Sequence, residues 1–494
     1  MTLLSGNSGD LVRTSFLAWL TNAEADREEA YRIYREYYDG DHATQLTDRM
    51  RRYLQVKGNI DFRSNYCPIV VDSLVERLSI TGFTSESIED TRLWDWWTIN
   101  RMDALQEVVH RGAVRDGDAY LIVGWDTEKG CPRFSFEPAF DGGEGVKVLY
   151  DDATRQPKVA SKRWRTNSGV EAGYVRRMNV YYPDRIEKFV SNERDHSGQW
   201  QAFVEEGRPW PLPWVDARGQ ALGLPVIHFR NNDQGYNYGQ SELKDIVPLQ
   251  NALNKTMIDL IAAADTTAFR IYWMVGDDPS AVQVAPGSWI YTRRPPAGEN
   301  GAALGFFPGE DLGNLIALKD SIAIEIARVS RTPVSYFQVS GQRPAEGTLQ
   351  QEESGLVGKA RARQIVFGNA WEDALRLARR LWNAFGAGEQ MDEQAAISAS
   401  WRDPETRNAK TLLETLIMKL ALGVPKEQLW AEMGYNADDL ALMREMLLAE
   451  ETRAQSVGES LITAFERGGR QTQGGTPGVP ISAGVTTPPE GINA

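Results

Sequence analysis

Two kinds of hydrophobic pattern alternate along this chain, and their order constrains its fold more strongly than any other feature of the sequence. Short β-like runs, separated by Gly, Pro, Asn and Asp, fill residues 119–230 and return in residues 266–311. Apolar residues recur at helical spacing in longer segments: residues 10–38, 91–114, 240–265, 312–330, 348–385 and 404–455. The order predicts an α+β chain, mainly helical, with an antiparallel β region inserted after the first helices.

Local signals predict where some of these elements begin and end. Residues 115–118, Arg-Asp-Gly-Asp, predict a turn between a helix and a strand. Pro248 predicts either a kink in the helix at residues 240–265 or the true first turn of that helix. Residues 397–401, Ile-Ser-Ala-Ser-Trp, predict a short strand after the longest helix.

The composition excludes several classes of protein. The 494 residues allow about three domains, and 68 acidic against 54 basic residues give a formal charge of −14. That sign argues against a protein that wraps nucleic acid with a broad basic face. Two cysteines exclude a disulfide-built secreted domain, and four histidines leave little room for a zinc site.

The sequence shows no targeting signal. Its first 16 residues have neither a basic nor an apolar region typical of a signal peptide, and no run of 18 apolar residues exists. A soluble protein made in the cytosol is therefore expected. Residues 468–494 are rich in Gly and Pro with only two charges, which predicts a disordered tail.

The motifs of common enzymes are absent. The sequence has no Walker A loop, GxGxxG, HExxH, GxSxG or CxxC motif. Cys67 precedes an apolar helix and is predicted to be buried, and His110 is predicted to be a packed or surface histidine. Acidic pairs such as Asp151–Asp152 are typical of turns and caps. By elimination, the chain is predicted to be a structural or assembly component without cofactor, catalytic residue or metal.

Two clusters each leave two interpretations open. Trp94, Trp96 and Trp97 favour core or interface packing over sugar stacking, because they lie in a helical pattern. Six basic residues form the best electropositive patch, which is either a helix face paired with acids or a binding surface. They are Lys359, Arg361, Arg363, Arg376, Arg379 and Arg380.

Four segments, taken together with the order of elements, resemble the portal proteins of long-tailed bacteriophages, which are head-to-tail connectors. The segments are Tyr31–His42 with Asn65–Phe83, Gly239–Phe269, Ile326–Phe337 and Ser400–Leu420. They lie within residues 25–450 and span most of that range. Residues 344–348, Pro-Ala-Glu-Gly-Thr, depart from the Ser-Gly-Glu-Ala type of sequence that often starts the next helix in the family.

The resemblance implies a ring, usually of twelve copies, at one vertex of the capsid. Double-stranded viral DNA passes through such a ring during packaging and ejection, without sequence-specific binding. The implied partners are terminase, a head-completion or adaptor protein, scaffolding protein and major capsid protein. The ring is assembled in the host cytoplasm, becomes part of the virion and has no membrane partner, cofactor or enzymatic activity of its own.

The resemblance also implies a division of the chain into named parts. In order they are a wing with helices and the β insert (residues 1–238), a first stem helix (239–265), a β-rich clip (266–311), a second stem helix (312–332), a channel loop (333–348), a long wing helix (349–400), a helical crown (401–467) and the tail (468–494).

Within these parts, two groups of residues are predicted to carry the function. The predicted DNA-channel contacts are Gln338, Gln342 and Arg343 in the loop and Lys244, Lys255 and Lys319 at the stem. The predicted interface residues of the clip are Tyr272, Trp273, Trp289 and Tyr291. An acidic chain with few cations at the bore would let DNA slide rather than grip it.

Two alternatives from other classes remain open at this point. A metal-dependent, nuclease-like DNA-processing enzyme would need converging carboxylates, whereas the sequence offers only scattered turn pairs. A carbohydrate-binding or tail-fibre-like β protein would use the tryptophans, but most of the chain has helical patterns. Metal-dependent nicking of a plasmid discriminates the first alternative, and rings in negative stain discriminate the portal interpretation from both.

Overall fold

The structure is a computed structural model, and it describes most of the chain. The described residues are 25–42, 64–85, 91–151, 153–167, 174–191, 200–268, 272–275, 289–292, 303–306, 312–337, 346–405, 409–433, 439–440, 442–450 and 452–453. Residues 1–425 belong to one compact unit and residues 426–494 to a second. Among the described residues, no helix is both long and apolar enough to cross a membrane.

Helices and strands both contribute substantially, so the predicted α+β class is confirmed. The named helices are α1 (Ala25–Asp39), α2 (Cys67–Val75), α3 (Arg92–Ile99), α4 (Met102–Asp116), α5 (Ile246–Ala268), α6 (Gly313–Ser330), α7 (Glu346–Phe385), α8 (Ala409–Ala421) and, in the second unit, α9 (Lys426–Glu432). The strands are β1 (Ile80–Ser85), β2 (Asp118–Asp126), β3 (Cys131–Pro138), β4 (Gly145–Tyr150), β5 (Pro157–Asn167), β6 (Tyr174–Tyr181), β7 (Arg185–Ser191), β8 (Gln201–Ala202), β9 (Leu212–Pro213), β10 (Val226–Arg230), β11 (Tyr272–Val275), β12 (Trp289–Thr292), β13 (Ala303–Phe306) and β14 (Ile397–Trp401).

The predicted antiparallel β region is confirmed, and it forms two sheets. Strands β4 to β8 make an antiparallel meander, with β9 paired to β7. Strands β10, β2 and β3 form a second antiparallel sheet, against which α4 and α7 pack. The predicted strand at residues 397–401 is also present as β14, which pairs with β1 and so joins the chain after α7 to its N-terminal half.

The core of the first unit lies where α2, α3, α4 and α7 meet the β10–β2–β3 sheet. Trp97 and Trp371 are fully buried there, with ring centroids 5.0 Å apart in an edge-to-face arrangement. Trp96 is also buried, and Trp94 stacks on Trp97. The packing interpretation of the three tryptophans is therefore confirmed, because they build the core beneath α7.

The helical segment at residues 91–114 is not one helix, as its periodicity predicts, but two. Arg101 has a left-handed backbone with φ of 55°, and it separates α3 from α4. The Asn100 side chain donates hydrogen bonds to the carbonyl oxygens of Trp96 and Pro132 and accepts one from the Phe134 N–H. The bonds to Pro132 and Phe134 of β3 stabilise the break between the two helices. The periodicity of apolar residues along a helix does not predict a bond from that helix to a strand.

The predicted turn at residues 115–118 is shorter in the structure. Helix α4 continues to Asp116, because that buried carboxylate accepts hydrogen bonds from Arg35 and Arg115. The chain then turns at Gly117, whose φ is 98°, and Asp118 already begins β2.

Helices α5 and α6 pack against each other and are joined by the small sheet β12–β11–β13. Helix α5 begins at Ile246, so Pro248 lies in its first turn, as one of the two interpretations predicts. Strands β11 and β13 are antiparallel neighbours, with Tyr272 opposite Phe306. The α5–sheet–α6 unit is therefore a long hairpin with a three-stranded sheet at its tip.

Candidate nucleic-acid interface

The base of the α5–α6 hairpin is held by close backbone packing. Gly239 approaches the carbonyl oxygens of Gly117 and Asn231 so closely that a Cβ atom built on it would lie 2.2 Å and 2.5 Å from them. No larger residue fits there unless the backbone at Gly117 or at Asn231 moves. Ser241 then accepts a hydrogen bond from the Leu243 N–H (2.9 Å), which starts the turns that lead into α5.

A buried aspartate anchors Gly239 to the rest of the fold. Asp118 is fully buried and accepts hydrogen bonds from Arg27 (2.6 Å), Tyr31 (2.6 Å), His228 Nε2 (2.7 Å) and the Gly239 N–H (2.7 Å). Burial acts to raise the pKa of Asp118, but the His228 hydrogen bond and the nearby Arg27 outweigh it and lower the pKa. One carboxylate therefore connects α1, β10 and the entry to α5.

A second carboxylate, with only 11% of its side chain exposed, connects both helices of the hairpin to α7. Glu242 lies 2.8 Å from the Lys359 ammonium and 2.8 Å from the Arg363 guanidinium. Lys359 also donates to the carbonyl oxygen of Ser330, the last residue of α6. Burial acts to raise the pKa of Glu242, but the two cations outweigh it and lower the pKa. The entry to α5, the end of α6 and the middle of α7 thus share one ion cluster.

The predicted basic patch on α7 is paired with acids, as one of its two interpretations holds. Lys359 and Arg363 bind Glu242, Arg361 binds Glu405, Arg376 binds Glu372 and Asp373, and Arg380 lies 3.7 Å from Glu393. Arg379 is fully buried and donates to the Ala395 carbonyl oxygen and the Ser85 hydroxyl. Lys359, Arg363 and Arg379 are buried, so they stabilise the fold rather than form a solvated face.

The inward side of α5 is polar and binds the N-terminal segments. Gln250 accepts a hydrogen bond from the Tyr66 N–H (3.0 Å), and Asn254 lies 2.9 Å from the His42 Nε2. Tyr37 donates to Asn251 (2.7 Å). These contacts bring the segments Tyr31–His42 and Asn65–Phe83 against α5, so two of the four segments that carry the portal resemblance, this N-terminal pair and Gly239–Phe269, meet at one place.

The three lysines predicted to contact DNA lie on or just before this hairpin, but in different charge environments. Lys255 and Lys319 are each 2.9 Å from an aspartate on the same helix, Asp259 and Asp320 respectively. Lys244 is exposed and has no ion-pair partner in the described part of the chain. The predicted loop residues Gln338, Gln342 and Arg343 lie outside the described residues, between Phe337 and the start of α7.

The four clip residues predicted at interfaces lie in the sheet at the hairpin tip. Tyr272 pairs in register with Trp289, and Met274 with Tyr291. Trp273 is half-buried and lies over Gly305 on the neighbouring strand, where a Cβ atom would be 2.5 Å from the indole ring. The aromatic ring thus covers a glycine that exposes backbone.

The groups that most often carry enzyme chemistry are engaged in the core. Cys67 is buried, and burial raises the pKa of its thiol to about 12. His110 is buried between the Leu78 carbonyl oxygen and the Trp371 indole N–H. Both agree with the packed roles predicted for them. In the described residues, no group of three or more His, Cys, Asp or Glu side chains is arranged to hold a metal ion.

The clusters of Asp118 and Glu242 were not among the predicted site residues. The sequence contains a signal for Asp118 only, because this charge lies directly after Gly117 and directly before the apolar run of residues 119–123. Sequence pattern alone does not pair these acids with their partners, which lie 87 to 121 residues away along the chain.

Comparison with known proteins identifies the family. Residues 17–456 match the family model described as "Phage portal protein, SPP1 Gp6-like". This chain belongs to the phage portal protein family. The match covers most of the chain, so the predicted family is confirmed, and portal proteins are structural components of the phage virion rather than a family of enzymes.

Two curated relatives agree with this assignment. The chain is 24% identical over 416 residues to the portal protein of Mycobacterium phage D29, and 23% identical over 417 residues to that of Mycobacterium phage L5. Each alignment covers 80% of this chain and 80% of the relative. A chain from the virion of a native gene transfer agent particle matches 81% of this portal chain and 94% of its own length, with 14% identity and a TM-score of 0.39.

Proposed function

We propose that this portal protein forms a closed ring at one vertex of the capsid and conducts double-stranded DNA through its centre. The observation that carries the proposal is the long α5–α6 hairpin, tied at its base to α7, in a chain that matches the portal family over residues 17–456. A ring of identical subunits around such hairpins gives a tube of helices whose height is set by their length.

The predicted parts of the chain are assigned onto this architecture as part of the proposal. Helices α5 and α6 are the stem, the β12–β11–β13 sheet is the clip, and residues 333–348 are the channel loop. The helices α1 to α4, the β insert and α7 form the wing, and α8 begins the crown. The clip sheet lies between the two stem helices along the chain, at the end of the hairpin opposite the Glu242 cluster, and we assign to it the docking of terminase during packaging and of an adaptor protein afterwards.

The charges at the stem support weak rather than tight contact with DNA. Lys255 and Lys319 are neutralised by their neighbouring aspartates, which leaves Lys244 as the strongest candidate of the three for a phosphate contact. A phosphate contact without base contact carries no sequence information. A conduit needs such contacts to be few, because each neutralised phosphate adds affinity and slows sliding.

Ring formation is the first test of the proposal. Purified protein, examined by negative-stain microscopy over a rising protein concentration, should show rings with a central hole. The same preparation, incubated with supercoiled plasmid and Mg²⁺, should leave the plasmid intact. Monomers at every concentration would contradict the ring, and metal-dependent nicking would favour the nuclease alternative.

The channel loop provides a second test. Deleting residues 340–346 should leave the rings unchanged in microscopy and reduce packaging or retention of DNA in complemented phage. The reason is that the loop would form the constriction, with Gln342 and Arg343 against phosphates. The double variant Gln342→Ser with Arg343→Ser keeps the length of the loop, so it tests the phosphate contacts separately from the size of the loop. Packaging at the wild-type level in the deletion would overturn this assignment of the loop.

A further inference from the structure

Helix α5 has an outward stripe of small and charged residues. Its members are Pro248, Ala252, Lys255, Asp259 and Ala262, spaced four, three, four and three residues apart. The first three are exposed and the last two half-buried, and the Lys255 side chain is 53% exposed. The opposite side of the helix holds the buried Ile246, Gln250 and Leu253. A stripe at this spacing is one seam of a two-helix, coiled-coil-like contact.

Helix α6 has a matching stripe of large residues, four of them apolar and one acidic. Its members are Leu315, Leu318, Ile322, Glu325 and Val329, spaced three, four, three and four residues apart. Leu318 is 48% exposed and Val329 43% exposed, while Leu315 and Ile322 are half-buried. The face that packs within the subunit is different and holds Ala323, Ile326 and Ala327. Exposed leucine and valine in a helical row are typical of a surface that a partner covers.

The two stripes are complementary in size, spacing and charge. Small residues on α5 leave room for the large residues of α6, which is the relation of hole to knob. The α5 stripe carries a lysine and an aspartate and the α6 stripe a glutamate, so the lysine provides the opposite charge across the contact. The spacings along α5 are four, three, four and three residues, and those along α6 are the same when α6 is followed from its end to its start. When the two helices lie antiparallel, each residue of one stripe therefore lies opposite a residue of the other, for all five pairs.

Within one subunit the two helices run antiparallel. The entry to α5 and the end of α6 meet at the Glu242–Lys359–Ser330 cluster, and the other ends meet where Tyr272 pairs with Phe306. In a closed ring, rotation about the central axis carries each subunit onto the next without a shift along the axis. Helix α5 of one copy and α6 of its neighbour therefore remain antiparallel and at matching heights.

We propose that the α5 stripe of one copy packs against the α6 stripe of the next copy, with Lys255 and Glu325 paired across the seam. Rung by rung, Ala252 then opposes Glu325, Lys255 opposes Ile322, and Asp259 opposes Leu318. The charged ends of Lys255 and Glu325 meet diagonally. Their present partners, the half-buried Asp259 and the exposed Arg328, are neighbours on the same helix, and such pairs near the surface are weak and readily exchanged.

This inference rests on the proposed ring and gives it a specific heterologous interface, because the two stripes are different surfaces of one chain. It commits to a second copy of this chain as the partner. A stripe that instead bordered the bore would place Leu318 and Val329 against water and DNA, which is unfavourable for exposed apolar side chains.

Cysteine cross-linking tests the seam directly. The two native cysteines are buried, so they do not compete in mild oxidation. The double variant Asp259→Cys with Leu318→Cys, which leaves Lys255 and Glu325 intact, should give a ladder of covalent multimers in a non-reducing gel. Each single variant should run as a monomer. Rings that form normally in the double variant but give no ladder would overturn the proposed seam.

Charge reversal tests the ion pair and does not depend on the cysteine variants. Lys255→Glu and Glu325→Lys should each raise the protein concentration for half-maximal ring formation by about fivefold or more, because like charges then face each other. The double reversal should return to within about twofold of the wild type. Ala317→Lys also introduces a lysine on α6, but away from the stripe, and should have no effect. Single reversals that assemble like the wild type would contradict the pair.

The outcomes separate this inference from the proposed function. If the wild type forms no ring under any condition, the proposed ring is wrong and the seam is wrong with it. If the wild type forms rings without the ladder and without the charge effect, the ring stands and only the seam is wrong.

Discussion

The Glu242→Gln variant is expected to lose about 3–5 kcal/mol of the free energy of unfolding of the first unit, residues 1–425. The substitution keeps the shape of the side chain and removes its charge. Lys359 and Arg363 would then remain buried without their counter-ion, and burying an uncompensated charge costs far more than a surface ion pair contributes.

The effect should be concentrated at the base of the hairpin. Lys359 joins Glu242 to the carbonyl oxygen of Ser330, so a displaced Lys359 would release the end of α6 as well as the entry to α5. Hydrogen exchange should therefore increase most at residues 327–332 and 355–365, and less in the β4–β8 meander. Helices α5 and α6 would lose their fixed direction relative to α7 before the rest of the first unit unfolds.

Urea unfolding, with hydrogen exchange in the same preparation, measures both parts of this expectation. Glu352→Gln is a matched control, because Glu352 is an exposed glutamate on α7 and the same change there should alter stability by less than about 0.5 kcal/mol. Equal stabilities for the two variants, or faster exchange spread evenly over the unit, would show that Glu242 does not connect the two helices as described.

Much of the fold is predictable from local pattern, and the elements that fail do so for a tertiary reason. The antiparallel insert, α5 with Pro248 in its first turn, and the strand at residues 397–401 follow from periodicity and from turn and proline signals. The break at Arg101 does not, because its cause is the Asn100 side chain binding β3. The spacing of apolar residues predicts which face of a helix or strand is buried, but it does not predict a side-chain hydrogen bond to another element.

The candidate site is predictable in a more limited way. The sequence predicts two long helices with aromatic strands between them, which the structure shows as α5, α6 and the β12–β11–β13 sheet, and it identifies a basic cluster on α7. It does not show that Lys359 and Arg363 are buried beneath Asn231 and Glu242, because exposed and buried cations have the same spacing on a helix. Only the folded chain places Glu242, more than 100 residues earlier, between them.

Acidification provides the second large effect, through His110. Burial lowers the pKa of His110 from its ordinary value of 6.5 to about 3, and the hydrogen bond to the Leu78 carbonyl oxygen opposes this only in part. The other ring nitrogen accepts the Trp371 indole N–H, so a proton there would break that bond. The folded state therefore holds the neutral imidazole, while the unfolded chain binds a proton below pH 6.5.

The sign of the effect follows from which state binds more protons. Since the pKa of His110 is lower in the folded state, its contribution to stability is complete above pH 6.5 and is lost progressively as the pH falls towards 3. Each pH unit costs about 1.4 kcal/mol, so about 3 kcal/mol is lost between pH 6.5 and 4.5. The lowered pKa of His228 acts in the same direction, and the lowered pKa values of Asp118 and Glu242 add to it only at more acidic pH.

His110→Gln separates this histidine from the other groups. An amide can donate to Leu78 and accept from Trp371 as the neutral imidazole does, but it cannot take up a proton. We expect the variant to lose stability less steeply than the wild type between pH 6.5 and 4.5, by about 1.4 kcal/mol per pH unit. Urea unfolding at several pH values measures the two slopes, and the comparison does not depend on any constant cost of the substitution. Equal slopes for the two proteins would show that His110 binds a proton in the folded state as readily as in the unfolded chain. The lowered pKa of His110 in the folded core would then be wrong.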